Sequence, residues 1–176
     1  MQANPLGEAS IENSPVMLLL AHAKVLAQQY RALTGKPLGI TGEVAEYEAS
    51  RILGVDLTPA RQAGYDAVET INGVVRRLQI KGRCLLKDGK PGQRLGSIDV
   101  KKDFDAVLLV LLDESFNATS IFEADREDVL RVLAEPGSKS RNERGALGVS
   151  KFKSIARLRW QRSTSDQRKD AHEVPA

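Results

Sequence analysis

An apolar run near the middle of the chain is the feature that most constrains its fold. From Phe104 to Leu112 the sequence is nearly unbroken apolar, interrupted by Asp105 and closed by Asp113. A run of this length is typical of a β-strand buried on both faces, because a half-exposed strand alternates apolar and polar residues. Other elements must then cover both sides of the sheet. The sequence therefore predicts an α/β (α+β) fold in which helices flank a mixed central sheet.

Apolar residues at helical spacing predict two helices before this strand. The first begins at Ser14-Pro15, where serine can cap a helix and proline suits its first turn, and it ends at Gly35. The second begins near Thr41-Gly42 and ends at Gly54. The residues expected to face the core from the first helix are Val16, Leu19, Leu20, Ala23, Leu26, Ala27, Tyr30 and Leu33.

Period-two alternation predicts strands after the second helix. Residues 65–68 form a short predicted strand, Asn72-Gly73 is a strong hairpin-turn signal, and Val74 to Cys84 is the returning strand. The remaining predicted elements are a strand over residues 119–124, a helix from Asp125 to just before Pro136, and a helix followed by an extended end over residues 150–160.

The chain of 176 residues is long enough for one compact core. We expect residues 14–160 to form a single domain, preceded by a flexible arm over residues 1–13. Residues 161–176 are polar and basic, and we expect a disordered tail there.

Composition excludes several kinds of site. Cys84 is the one cysteine, which rules out an internal disulfide framework and a cysteine-based zinc site. The two histidines, His22 and His172, make a histidine-dominated metal site improbable. Any chemistry must therefore come from carboxylates, amides, lysine and arginine.

Charge is distributed unevenly along the chain. Residues 136–176 hold 10 Lys and Arg against 4 Asp and Glu, whereas residues 1–135 hold 16 against 19. A basic end suits a protein that binds phosphate backbones, and it is equally compatible with an ordinary solvated surface. With no export signal or membrane-spanning run, we expect a cytoplasmic protein that does not enter a membrane.

Three polar side chains stand out because they occupy strand positions. Asp66 lies on the first strand of the predicted hairpin, and Gln79 and Lys81 lie two residues apart on the second. Counting back from the turn, Asp66 and Gln79 are six positions away on either side, so they are expected to be cross-strand neighbours. The cluster could hold a hard divalent cation, with Lys81 beside it. Asp66 and Lys81 could instead form a cross-strand ion pair on a solvent-facing sheet.

Three motifs resemble those of the PD-(D/E)XK nuclease superfamily. They are Thr41-Gly42-Glu43 on an early helix, Gly64-Tyr65-Asp66 on the first strand, and Gln79-Ile80-Lys81-Gly82-Arg83 on the second. The resemblance covers roughly residues 40–135. It implies a restriction-endonuclease-like αβββαβ core, with the first helix as an N-terminal addition.

The resemblance also implies roles for individual residues. Asp66, Gln79, the Ile80 carbonyl and Glu43 would hold Mg²⁺ or Mn²⁺, and Lys81 would be the catalytic lysine. The sequence departs from the family pattern at two of its positions: Gln79 stands where an acidic residue is usual, and Tyr65 stands where proline is usual. The glutamine keeps an oxygen ligand but removes one negative charge, which weakens attraction for a cation.

The function that follows is Mg²⁺-dependent hydrolysis of phosphodiester bonds in DNA, most simply double-stranded DNA. The alternatives are a catalytically degenerate module that binds nucleic acid or protein, and a purely structural partner protein. Candidate phosphate contacts, which could equally be ordinary surface charges, are Arg77, Arg83, Lys87, Lys90, Arg94, Lys139, Arg141, Arg144, Lys151 and Lys153.

Two further expectations concern surface residues. Glu46, Asp99, Asp103 and Asp105 are interpreted as solvated or capping carboxylates. Leu18 and Val25 fall outside the predicted core stripe of the first helix, and many nucleases of this fold act as dimers. We therefore expect a homodimer.

Overall fold

The computed structural model describes residues 15–36, 38–59, 64–86, 92–136 and 145–163. Its helices are α1 (Pro15–Thr34), α2 (Thr41–Leu53), α3 (Arg126–Ala134) and α4 (Val149–Ile155). Its strands are β1 (Asp56–Leu57), β2 (Ala67–Ile71), β3 (Val74–Cys84), β4 (Ala106–Leu112), β5 (Ala118–Asp125) and β6 (Arg157–Gln161). Within these residues the strands form one sheet in the order β1-β2-β3-β4-β5-β6, in which β3 and β4 are parallel and the other neighbours are antiparallel.

The predicted mixed α/β architecture is confirmed. All seven residues of β4 are buried, because α1 and α2 cover one face of the sheet and α3 and α4 cover the other. The predicted returning strand coincides with β3, and the predicted helix and extended end near the C-terminus are α4 and β6. The two-residue strand β1 was not predicted. β5 also follows β4 directly and precedes α3, so the observed order differs in detail from αβββαβ.

Two predicted terminal segments lie mostly outside the described residues. None of the arm over residues 1–13 is described. Of the predicted tail, the structure describes residues 161–163, and Gln161 is the last residue of β6. Among the described residues, no helix combines the length and the apolar character needed to cross a membrane.

The β2–β3 hairpin sets the register on which the site depends. Asn72 and Gly73 form its turn with φ of 51° and 79°, the left-handed backbone of a type I′ turn. From this turn the pairing runs back to Ala67 opposite Leu78. Asp66 therefore lies at the level of Gln79, as the sequence predicts. The predicted strand over residues 65–68 is wrong in its bounds, however, because β2 begins at Ala67 and Asp66 precedes it.

The predicted core stripe is confirmed at Ala27, but it is wrong for most of the larger apolar side chains of α1. Met17 and Ala27 are its buried residues, whereas Leu19, Leu26 and Leu33 are 67%, 58% and 87% exposed. The helix is turned because its charged side chains bond to the body of the protein. Lys24 donates to Glu48 and Asn117, and Arg31 donates to the Glu114 carbonyl.

Glu48 joins α1, α2 and β5 through one buried carboxylate. Its oxygens accept from Lys24 Nζ at 3.2 Å, from Arg51 Nη2 at 3.0 Å and from the Ala118 N–H at 2.9 Å. Burial by itself would raise the pKa of this carboxyl, but Lys24, Arg51 and the Ala118 hydrogen bond outweigh it. The pKa of Glu48 therefore lies below its ordinary value.

Gly82 allows α2 to lie directly on β3. A β-carbon at this position would be 2.5 Å from the Thr41 carbonyl oxygen and 2.6 Å from the Ala45 β-carbon. The first turn of α2 thus touches the strand that carries Gln79 and Lys81.

We expect Glu48→Gln to lower the free energy of unfolding at pH 7 by about 3 kcal/mol, because it removes one partner of a buried ion pair. The lowered pKa stabilises the wild-type protein above about pH 4.5, and this contribution is lost as the pH falls through the folded-state pKa. The difference between variant and wild type should therefore shrink in acid. Urea denaturation between pH 3 and pH 8 measures it, and Glu127→Gln, at an exposed position of α3, should change little at any pH.

We expect Gly82→Ala to destabilise the protein by about 1–3 kcal/mol, because the added methyl group meets backbone that cannot move independently. Gly42→Ala on the same helix is the matched control, since a β-carbon there meets nothing within 4 Å. That control should be neutral or stabilising by up to about 1 kcal/mol. Equal effects of the two substitutions in thermal and urea unfolding would contradict the close approach of α2 to β3.

Candidate functional site

The candidate site lies in a notch where β2 ends and β3 continues. Asp66 donates its backbone N–H to the Leu78 carbonyl at 2.8 Å, and its carboxylate Oδ2 accepts the Ile80 N–H at 2.7 Å. The Asp66 carboxylate thus bonds to the Ile80 N–H in the place of a backbone carbonyl of a longer β2 strand. Thr58 donates its own N–H to the Asp66 carbonyl at 3.0 Å, so neighbours on both sides hold the aspartate in place.

The Ile80 carbonyl belongs to the same edge. In a strand, the N–H and C=O of one residue point to the same side. The Ile80 N–H meets Asp66, so the Ile80 carbonyl also faces the notch. This is the carbonyl that the resemblance implies as a cation ligand.

Gln79 is buried beside the notch and only part of its amide is paired. Its side chain is 3% exposed, and Nε2 donates to the carbonyls of Gly64 and Asp99, both at 3.2 Å. Because both partners are acceptors, the amide cannot be rotated without losing both bonds. The Oε1 atom has no hydrogen-bond partner among the described residues. A buried oxygen in this state is costly and is suited to accept a ligand.

Lys81 shares a strand face with Gln79 and lies under the segment that connects β3 to β4. It is half-buried, and its Cδ lies 4.0 Å from the position that a β-carbon on Gly96 would take. Asp66, Gln79 and Lys81 are therefore brought to one region, the first at the edge of β3 and the other two on its face. This grouping was predicted from the hairpin.

Helix α2 brings two carboxylates to the same region. Glu43 is exposed in its first turn, and Glu46, three residues later, is partly buried. Burial, together with the charges of Asp66 and Glu43, raises the pKa of Glu46 to about 7, although the charge of Lys81 acts in the opposite direction. The interpretation of Glu46 as a solvated carboxylate is therefore wrong. Its spacing of three from Glu43, on a helix that precedes the site, was the signal available in the sequence.

The carboxylates do not by themselves form a metal cage. The described part of the chain contains no group of three or more His, Cys, Asp and Glu side chains arranged to hold a metal ion. The charges of Glu43 and Asp66 act on Glu46, but the three carboxylates are not arranged around one point. A cation here would depend on Asp66 together with two uncharged oxygens, Gln79 Oε1 and the Ile80 carbonyl. Such oxygen donors suit Mg²⁺ and Mn²⁺.

Arg77, one of the predicted phosphate contacts, bonds to two acidic residues. Its Nε and Nη2 donate to the two oxygens of Asp105 at 3.0 Å each, and Nη1 donates to Asp103. These hydrogen bonds hold the pKa of Asp105 below its ordinary range. Asp105 is thus the partly buried partner of an arginine, which corrects its interpretation as a solvated or capping residue. Asp103 also bonds to Arg77, but its side chain is 79% exposed, so its interpretation as a solvated carboxylate is confirmed. Asp99 does cap locally, since its Oδ1 accepts the Lys101 N–H.

The other basic candidates have partners of different kinds or lie outside the described residues. Arg83 donates to the neutral side chain of Gln93 at 2.9 Å, and Arg94 donates to the Ala146 carbonyl at 2.7 Å. Lys151 pairs with Glu135, and Lys153 lies over the Phe122 ring. The candidates outside the described residues are Lys87, Lys90, Lys139, Arg141 and Arg144.

We expect Glu46→Gln to stabilise the protein at alkaline pH. The Glu46 carboxyl has a pKa of about 7 in the folded protein and about 4.5 as a free group, so folding is penalised increasingly as the pH rises from about 4.5 to about 7. Glutamine stays neutral and removes this penalty. Urea unfolding in EDTA should show the variant gaining on the wild type up to about pH 7, with the gain constant above. Glu114→Gln, at an exposed loop position, should show no such trend; if it does, the effect does not come from Glu46.

Comparison with known proteins assigns no family to this chain. No protein-family model matches the sequence, and no curated protein matches it.

Proposed function

We propose that this protein is a nuclease of the restriction-endonuclease-like class that hydrolyses DNA phosphodiester bonds with the help of Mg²⁺ or Mn²⁺. The observation that carries the proposal is the buried Oε1 of Gln79, which lies beside the Asp66 carboxylate and has no hydrogen-bond partner in the described part of the chain. A residue that served only as a structural link would be expected to pair both ends of its amide.

Asp66, Gln79 Oε1 and the Ile80 carbonyl would hold the cation, and Glu43 would be an accessory ligand. All are oxygen donors, which fits a hard divalent ion. Once bound, such an ion supplies Lewis-acid polarisation of the scissile phosphate and lowers the pKa of a nearby water.

Glu46 is the proposed proton acceptor. Its pKa of about 7 makes the carboxylate basic enough to take a proton from water while a large fraction stays ionised near neutral pH. The oxygen of that water forms the new bond to phosphorus, the bond from phosphorus to the leaving oxygen breaks, and the leaving oxygen takes a proton from solvent. Lys81 neutralises the negative charge that develops on the phosphate.

Arg83 is the best-supported phosphate contact. It lies two residues beyond Lys81 on the same strand face, and the side-chain partner it bonds is a neutral amide. Its positive charge is therefore not offset by a carboxylate at that bond. Contacts of this kind orient the DNA backbone but do not read its sequence.

A second candidate is a catalytically inactive module that binds nucleic acid. The observation that favours it is the amide at position 79. Gln79 is neutral and therefore adds no negative charge that would attract a cation, and its Nε2 is already bonded to two backbone carbonyls. In that case the same notch and basic residues would bind DNA without cutting it.

We expect Lys81→Met and Asp66→Asn to reduce plasmid cleavage in Mg²⁺ or Mn²⁺ by about 10²-fold or more. Asparagine keeps an oxygen that can accept the Ile80 N–H, so Asp66→Asn tests charge rather than folding. Lys101→Met, at an exposed lysine on the connecting segment, is the matched control and should keep wild-type activity.

The outcomes separate the candidates. Cleavage by the wild type that is no better than that of Lys81→Met overturns the proposed catalysis. Calorimetry with Mn²⁺ then decides the alternative: salt-sensitive DNA binding without cation binding supports the inactive module. Absence of both DNA and cation binding overturns both candidates.

A further inference from the structure

Helix α1 exposes a regular apolar stripe that nothing among the described residues covers. The stripe repeats at alternating intervals of three and four residues, the spacing of the a and d positions of a coiled coil. We name it the α1 seam, and its residues are Val16, Leu19, Ala23, Leu26, Tyr30 and Leu33. Every member except the partly buried Ala23 is exposed, and Leu18 and Val25 widen the stripe on one side.

The charged side chains of α1 lie on the face of the helix that packs against the body of the protein. Lys24 and Arg31 are the two charged residues of the helix, and both bond to the body of the protein. Arg31 also lies 4.7 Å from the centre of the Phe116 ring. The outward face therefore carries no acidic or basic side chain other than His22. This is the reverse of a helix that is meant to face water.

The seam is large enough for a stable interface. With the accessible area of an unfolded residue taken as about 1.45 Å² per dalton, the exposed seam together with Leu18 and Val25 presents on the order of 700 Å². The largest apolar patch of a typical monomer is about 300–600 Å². A standard interface buries about 800 Å² on each partner.

We propose that the α1 seam binds the α1 seam of a second copy of this chain, forming a two-fold symmetric homodimer. A stripe of a and d residues is complementary to another such stripe, because each side chain fits between four residues of the facing helix. Two faces without acidic or basic groups, apart from His22, can also meet without burying an unpaired lysine, arginine or carboxylate. One surface patch then serves both protomers, as a two-fold interface requires. The proposal is independent of the nuclease chemistry.

Sedimentation equilibrium of the full chain from 1 to 100 µM tests the proposal. The wild type should have twice the 19.2 kDa mass of the chain. Leu19→Glu combined with Leu26→Glu should give a monomer, because both charges would be buried at the seam. Val74→Glu combined with Val75→Glu is the matched control, since these residues are also exposed and apolar but lie at the hairpin. That control should remain a dimer.

A milder variant guards against loss of folding. Leu26→Ala preserves helix propensity, and it removes one leucine from each side of the interface, so it should raise the dimer dissociation constant at least tenfold with an unchanged circular dichroism spectrum. A wild type that is monomeric at 100 µM overturns the proposal. This holds if another segment of the chain covers the α1 seam, and it holds equally if the monomer binds phospholipid vesicles through the seam. A dimer that survives the double glutamate substitution also overturns it.

Discussion

The hydrogen bond from the Ile80 N–H to the Asp66 carboxylate is the interaction on which the candidate site depends. A strand edge needs partners for its backbone groups, and here a side chain supplies one where β2 has ended. This substitution opens the notch while leaving β3 continuous against β4. Gly82 then lets α2 reach the same edge, because a side chain there would collide with Thr41. The geometry of the candidate site therefore depends on two local features of β3, the side-chain partner of Ile80 and the missing side chain of Gly82.

The backbone around position 79 explains why a glutamine fits there. Its amide nitrogen is held between two backbone carbonyls, and a carboxylate there would face those oxygens without a hydrogen to donate. The local backbone thus favours an amide, although a cation would favour an acid. Glu46 on α2 is partly buried, and its pKa is raised to about 7 by burial and by the charges of Asp66 and Glu43. The amide at position 79 therefore leaves Asp66 as the carboxylate that lies at the notch itself.

Local patterns in the sequence predicted the sheet better than they predicted the helix surfaces. Asn72-Gly73 fixes the hairpin turn, and counting from it places Asp66 at the level of Gln79, because strand register is determined by the turn. The apolar run at β4 likewise reports burial directly. The orientation of α1 could not be predicted in this way, because the partners of Lys24 and Arg31 lie 24 and 83 residues further along the chain. Glu46 was misjudged for the same reason, since its pKa depends first on burial and then on the charges of residues such as Asp66 and Lys81, which only folding brings near.

Helix α1 connects the proposed interface to the candidate site, because its outer face is apolar and its inner face carries the charged side chains. On its inner face, Lys24 bonds to Glu48, and Glu48 belongs to the helix that also carries Glu43 and Glu46. On its outer face the seam is apolar and takes no part in those bonds. A partner helix packed on the seam would hold α1 against the body and thereby support the ion pairs beneath it. Dimerisation would then stabilise the position of α2 through packing alone, leaving the charges of the notch unchanged.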